Sequence, residues 1–121
     1  MKPRRADRVG EQVRQEIALL LLHESKDPGT SGVVVTSVRL TDDLGTARVN
    51  FVLQDPSRDR KEAEKALERA AGFLRARLRE RLSLRITPTL HFHYDVGLEH
   101  GRRVEELLGE IAAQVPGKVR E

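Results

Sequence analysis

The sequence predicts a single α+β domain of two layers, a three-stranded sheet with helices stacked on one face. Three observations lead there. Apolar residues recur at helical spacing in three segments, near residues 5–24, from about Asp59, and around residues 104–111. Three short runs, 32–41, 46–53 and 89–95, are β-branched or alternate apolar with polar. The whole chain is 121 residues, which suggests one domain and is enough for one core without staples.

The first helix carries Ala6, Val9, Val13, Ile17, Leu20 and Leu21 as one stripe, with Arg8, Glu11, Gln15 and Glu16 off it. It should stop before Asp27-Pro28-Gly29, because the residue preceding a proline avoids the helical region. "GVVVTSVRLT", residues 32–41, reads as a strand with Val34, Thr36, Val38 and Leu40 on one face. "DDLG", residues 42–45, is a turn. "TARVNFVL", residues 46–53, then sets Ala47, Val49, Phe51 and Leu53 against Arg48, Asn50 and Val52. The two strands make an antiparallel hairpin with one apolar face, ended by Asp55-Pro56-Ser57.

The next helical stripe is Ala63, Ala66, Leu67, Ala70, Leu74, Leu78 and Leu82. Ser57 or Asp59 is placed to cap it, and Glu62 and Glu64 lie early, where the helix dipole favours acids. Gly72 interrupts the stripe's middle, at a cost of about 1 kcal/mol relative to alanine. After Pro88, "TLHFHYD" alternates Leu90, Phe92 and Tyr94 against His91, His93 and Asp95, a third strand. Gly97 and Gly101 punctuate a turn. A last helix follows with Val104, Leu107, Leu108 and Ile111 on one face, and Pro116-Gly117 ends it. The domain is expected to span residues 1–114, with 115–121 a flexible tail.

Composition excludes several classes. With no cysteine there is no disulfide framework and no thiolate chemistry. No apolar run approaches the ~20 residues of a membrane span, and no apolar segment follows the basic start as a signal peptide would require. A soluble, cytoplasmic protein is expected. The formal net charge is +3, but residues 69–85 alone hold six arginines against one acid, Glu80. A local positive patch on a nearly neutral body is the electrostatic footprint of a polyanion partner.

With Leu74, Leu78 and Leu82 turned inward, Arg75 and Arg79 fall on one shoulder of the helix and Arg77 and Arg81 on the other. Together with Arg85 they form the candidate RNA-binding set, since the guanidinium fork grips phosphate through paired bonds. A merely solvated helix would interleave signs.

Several words, in order, resemble the bacterial ribosome-binding factor A family. They are "RVGEQVRQEI", "KDPG", "VTSVRLTDDLGTARV", "AAGFLRARL", "LRITPTLHFHYD" and "GRRVEELL". The resemblance runs from about Arg8 to Leu108. It implies a KH-like fold of type II, helix–strand–strand–helix–helix–strand. In that family an alanine–any–glycine kink, here Ala70-Ala71-Gly72, replaces the GXXG loop with which ordinary KH domains clamp nucleic acid. The pattern alone leaves open a plain helix containing a glycine. The chain has no GXXG. The resemblance further implies a monomeric factor that is not an enzyme and needs no cofactor. It would bind the immature 30S ribosomal subunit and its 16S ribosomal RNA, and support late maturation, 5′-end processing and growth in the cold.

Other candidates carry less. His91, His93 and Asp95 share a strand face at metal-ligand spacing, yet no fourth ligand is evident, so the row reads as facing solvent or RNA. Asp42 and Asp43 sit in a turn, where aspartate is common. No serine has a paired base. Phe73 beside the glycine is placed to stack on a base, but with four aromatics in the chain, contact should be mostly with phosphate and shape. Rival readings remain: a ribonuclease acting on precursor RNA, a generic RNA-binding KH-like adapter, or a protein–protein adapter that uses its apolar hairpin edge.

Overall fold

The computed structural model describes residues 4–98 and 107–110. Helix α1 spans Arg5–His23, strand β1 Val33–Leu40, strand β2 Thr46–Leu53, helix α2 Arg60–Arg81 and strand β3 Thr89–Tyr94. Short 3₁₀ turns occupy Pro28–Thr30 and Val96–Leu98, and residues 107–110 are helical. The sheet order is β1-β2-β3, with β1 and β2 antiparallel and β2 and β3 parallel. The two-layer α+β architecture therefore stands, and the sheet is mixed because α2 carries the chain back before β3 begins.

The expected stripes form the core. Val13, Ile17 and Leu20 from α1, Val49 and Phe51 from β2, and Leu67, Leu74 and Leu78 from α2 are fully buried. Each such side chain contributes about 1.5–3 kcal/mol by leaving water. Gly10 lets α1 press onto the sheet, since a Cβ there would lie 2.8 Å from the carbonyl oxygen of Val38. Gly29 does the same for the turn after α1, where a Cβ would stand 2.6 Å from Cβ of Ala66 in α2. Phe51 and Tyr94 meet edge to face at 5.6 Å between ring centres.

The local signals explain the ends of the elements. Asp59, not Ser57, caps α2 by accepting from the Lys61 amide at 2.9 Å. In the hairpin turn Asp43 Oδ1 accepts from Thr41 Oγ1 at 2.7 Å and from the Gly45 amide at 2.9 Å. Leu44 between them adopts a left-handed conformation, φ 63°.

Three expectations are revised. In β1, a bulge between Val35 and Ser37 removes Thr36 from the ladder and resets the alternation. Val33 and Val35 precede it on the core face, and Val38 and Leu40 follow it there. Val34, expected with Val38 and Leu40, lies instead opposite Val52 on the other face, where Leu107 packs on both. Second, α2 is one continuous helix from Arg60 to Arg81, not two helices meeting at Ala70-Ala71-Gly72. The inward residues Ala63, Ala66, Leu67, Ala70, Leu74 and Leu78 are all buried, and that packing outweighs the propensity cost of Gly72. Third, Leu82 leaves the helix as its extended C-cap, so helix ends at Arg81. Of the last predicted helix, Leu107 and Leu108 are helical, whereas Val104, Ile111 and the 114/115 boundary lie outside the described residues.

Candidate nucleic-acid interface

The inward row Leu74 and Leu78 fixes the rotation of α2, and with it the direction of every arginine on its flanks. The two shoulders read from spacing are present, and they meet different neighbours. On one, Arg75 donates from Nε to the Pro88 carbonyl at 2.9 Å and from Nη2 to the Thr87 carbonyl at 3.0 Å. Arg79 donates from Nε to Thr87 Oγ1 at 3.3 Å. Arg85, in the segment between α2 and β3, is exposed and meets no carboxylate among the described residues.

On the other shoulder, Arg77 pairs with Glu24 at 3.2 Å and with Glu80 at 3.0 Å. Its guanidinium also lies 5.6 Å from the ring centre of Phe73. Arg81 pairs with Glu24 and with Glu16, the latter at 3.5 Å. Glu16 and Glu24 come from α1 and its end. They hold the Arg81 guanidinium more firmly protonated, chiefly through the bond to Glu24.

This difference divides the five arginines electrostatically. A guanidinium bonded to carbonyls and hydroxyls keeps its full charge for a further anion, whereas one bonded to carboxylates is largely neutralised. Among the described residues Arg75, Arg79 and Arg85 form the uncompensated side, and Arg77 and Arg81 form an interhelical clasp. Sequence spacing found both rows but not the acids. Glu16 and Glu24 lie more than fifty positions away, and only the packing of α1 against α2 brings them in.

Between the end of α1 and the middle of α2 lies an open groove of about 680 Å³. His23, Glu24, Ser25, Lys26 and Asp27 line one side, and Arg69, Ala70, Phe73 and Arg77 the other. Arg69 is tied across it to Asp27 at 2.9 Å. Asp27 is held below the usual carboxylate range, first by the Gly29 amide and then by Arg69. Of the alanine–alanine–glycine motif, Ala70 is buried, Ala71 half-buried, and Gly72 exposed with nothing within 4 Å of a Cβ built there. The fold itself thus sets no steric demand for glycine at this position.

The other candidates are engaged in structure. Asp42 pairs with Arg4 at 3.1 Å, Asp43 closes the hairpin, and Asp95 accepts from Thr36 Oγ1 at 2.9 Å. His91 and His93 are exposed on β3. Among the described residues no three His, Cys, Asp or Glu side chains gather as a metal site, and no helix is long and apolar enough to cross a membrane.

Comparison with known proteins gives the family and the fold. The family model for ribosome-binding factor A matches residues 5–108. The ribosome-binding factor A of Syntrophobacter fumaroxidans is 43% identical over 113 residues, covering 92% of this chain and 97% of that protein. The crystal structure of ribosome-binding factor A from Thermus thermophilus superposes with a TM-score of 0.66 at 27% identity, over 74% of this chain and 94% of that one. A homology model of the Thermus thermophilus factor, fitted into a cryo-EM map of a complex with the 30S subunit, gives 0.60 at 27% identity, over 73% of this chain and 92% of its own.

Proposed function

This chain belongs to the ribosome-binding factor A family, and on that premise we propose that it is a non-enzymatic assembly factor. It binds the immature small ribosomal subunit through ribosomal RNA. It holds that RNA in a maturing conformation, supports late maturation including 5′-end processing, and is needed most in the cold. The observation that carries the RNA contact is the uncompensated flank Arg75, Arg79 and Arg85, three guanidinium groups without a carboxylate partner among the described residues. A related factor fitted into a map of a 30S complex supports the choice of partner. Few aromatics and no GXXG support contact through phosphate and shape over base readout.

The test is co-sedimentation with purified small subunits across a salt series. Log affinity should fall linearly with log salt, because each bound phosphate releases counterions. The ribonuclease reading is answered by incubating the protein with precursor RNA and magnesium. Cleavage abolished by Asp42→Asn or His91→Ala would replace the occupancy mechanism with a catalytic one.

A further inference from the structure

The sheet face turned away from α1 and α2 carries a second cationic array. In β2, Ala47, Val49 and Phe51 point into the core, so Arg48 and Asn50 point outward. Strand pairing extends each into a row across all three strands. Arg39 lies opposite Arg48, and Arg48 beside His91; Ser37 lies opposite Asn50, and Asn50 beside His93. Arg39, Arg48, His91 and His93 are all exposed. With strands about 4.8 Å apart, the first row spans roughly 10 Å.

Two arginines set directly opposite each other repel, and cross-strand pairs of like charge are disfavoured. Neither meets a carboxylate among the described residues. Arg48 is nevertheless oriented, because its Nε donates to Asn50 Oδ1 at 3.3 Å, and Asn50 Nδ2 donates to Ser37 Oγ at 2.9 Å. That leaves the terminal guanidinium nitrogens turned to solvent. The acid at the end of β3, Asp95, is occupied by Thr36.

We infer that the exposed part of this sheet face, beyond the patch where Leu107 covers Val34 and Val52, is a second RNA-contact surface, on which Arg39, Arg48, His91 and His93 take the phosphates of a strand laid across the sheet. The inference rests on the RNA-binding reading above and adds a site to it on the other side of the sheet from α2. RNA fits better than an acidic protein segment. The two rows contain no apolar side chain, whereas protein interfaces have an apolar centre and nucleic-acid interfaces are polar and positively charged. Arginine with serine and asparagine beside it is also the usual company of phosphate oxygens.

The experiment measures binding of the full chain to a fluorescein-labelled RNA hairpin with a single-stranded tail, by anisotropy across a salt series. The variants are Arg39→Glu with Arg48→Glu, the gentler Arg39→Gln with Arg48→Gln, His91→Ala with His93→Ala, and on α2 Arg79→Glu with Arg85→Glu. Melting curves establish that each is folded. Loss of the two arginine contacts should flatten the slope of log affinity against log salt by about 1.4–1.8 and lower affinity about tenfold or more at physiological salt, and the His91 and His93 variant should lower affinity. Sheet and α2 losses should add, as they do for separated sites. Unchanged affinity and slope in the folded sheet variants, beside a loss in the α2 variant, overturns the inference and leaves the functional reading standing. Failure of the unaltered protein to bind both hairpin and small subunits overturns that reading, and the inference with it. Sheet variants that keep RNA binding but lose binding to a labelled poly-glutamate peptide assign the face to an acidic protein instead.

Discussion

Arg14 of α1 and Glu110 of the C-terminal helical segment, 96 positions apart, meet at 3.2 Å. Arg14 is only 6% exposed, and it also binds both carboxylate oxygens of Glu11, from Nε to Oε1 at 3.1 Å and from Nη2 to Oε2 at 2.7 Å. A buried guanidinium needs such partners. Together with Leu107 on Val34 and Val52, this clamp attaches residues 107–110 to the rest of the fold.

Arg14→Ala should therefore destabilise the protein by about 1.5–3 kcal/mol, the range for charged hydrogen bonds. Glu110→Gln should cost less, because Glu110 is half in water. Urea unfolding measures the totals. Hydrogen exchange should show protection lost first at residues 107–110 in the Glu110 variant; uniform loss across the core would contradict the clamp.

Reversing Arg77 and Arg81 to glutamate should lower the melting temperature. From sequence spacing both look like surface residues whose loss leaves stability unchanged. The structure sets them against Glu24 and Glu16, so reversal places like charges together. Arg79→Glu with Arg85→Glu should melt within a few degrees of the unaltered protein, as exposed substitutions usually do. It should nevertheless weaken small-subunit binding and flatten the salt slope by about 1.4–1.8. Melting curves and sedimentation on the same samples separate the two effects.

Gly72→Ala should stabilise the protein by about 1 kcal/mol, since a Cβ there meets nothing and alanine favours helix. If Gly72 serves close approach of RNA, the same variant binds small subunits more weakly while melting higher. Gly10→Ala should do the opposite to stability, costing about 1–3 kcal/mol through overpacking against Val38. Thermal denaturation of the pair checks both signs.

Asp27 contributes to the acid limb of the stability profile. Its folded pKa is depressed by the Gly29 amide and by Arg69. The stabilisation is therefore complete above the unfolded value of about 3.9 and is lost as pH falls through the lower folded value. Asp27→Asn should flatten the fall of melting temperature below about pH 4 and leave its pH dependence above about pH 6 unchanged. Asp43 and Asp55, depressed by hydroxyl and amide donors, should keep part of that slope in the variant.

Most of the architecture was legible because each helix and strand announces itself by period and is bounded by proline, glycine or aspartate. A cap at Ser57 or Asp59 and the two arginine shoulders were legible for the same reason, being set within one turn or one helix, and the structure chooses Asp59. What stayed hidden depends on pairing at a distance. The bulge at Thr36 carries no glycine to mark it, and three successive valines suit either face. The clasp of Arg77 and Arg81 needs α1 laid beside α2. Continuity of α2 through Gly72 follows from burial on its far side, which a propensity argument does not weigh. The outward rows of the sheet appear only once β3 is known to pair with β2.

The parallel pairing of β2 with β3 also sets the order in which this chain can assemble. α1 and the hairpin of β1 and β2 involve neighbours in sequence and can form as soon as they are synthesised. Thr46 finds its partner Thr89 only after α2 has been made and folded back. Closing that long loop precedes any reward from β3, so docking of the third strand should be the slow step. Until then β2 presents an unpaired edge, open to another copy of the chain. Arg48, midway along that edge, is a charge of the kind that discourages such pairing, so the residue offered to RNA in the finished protein also guards the unfinished one.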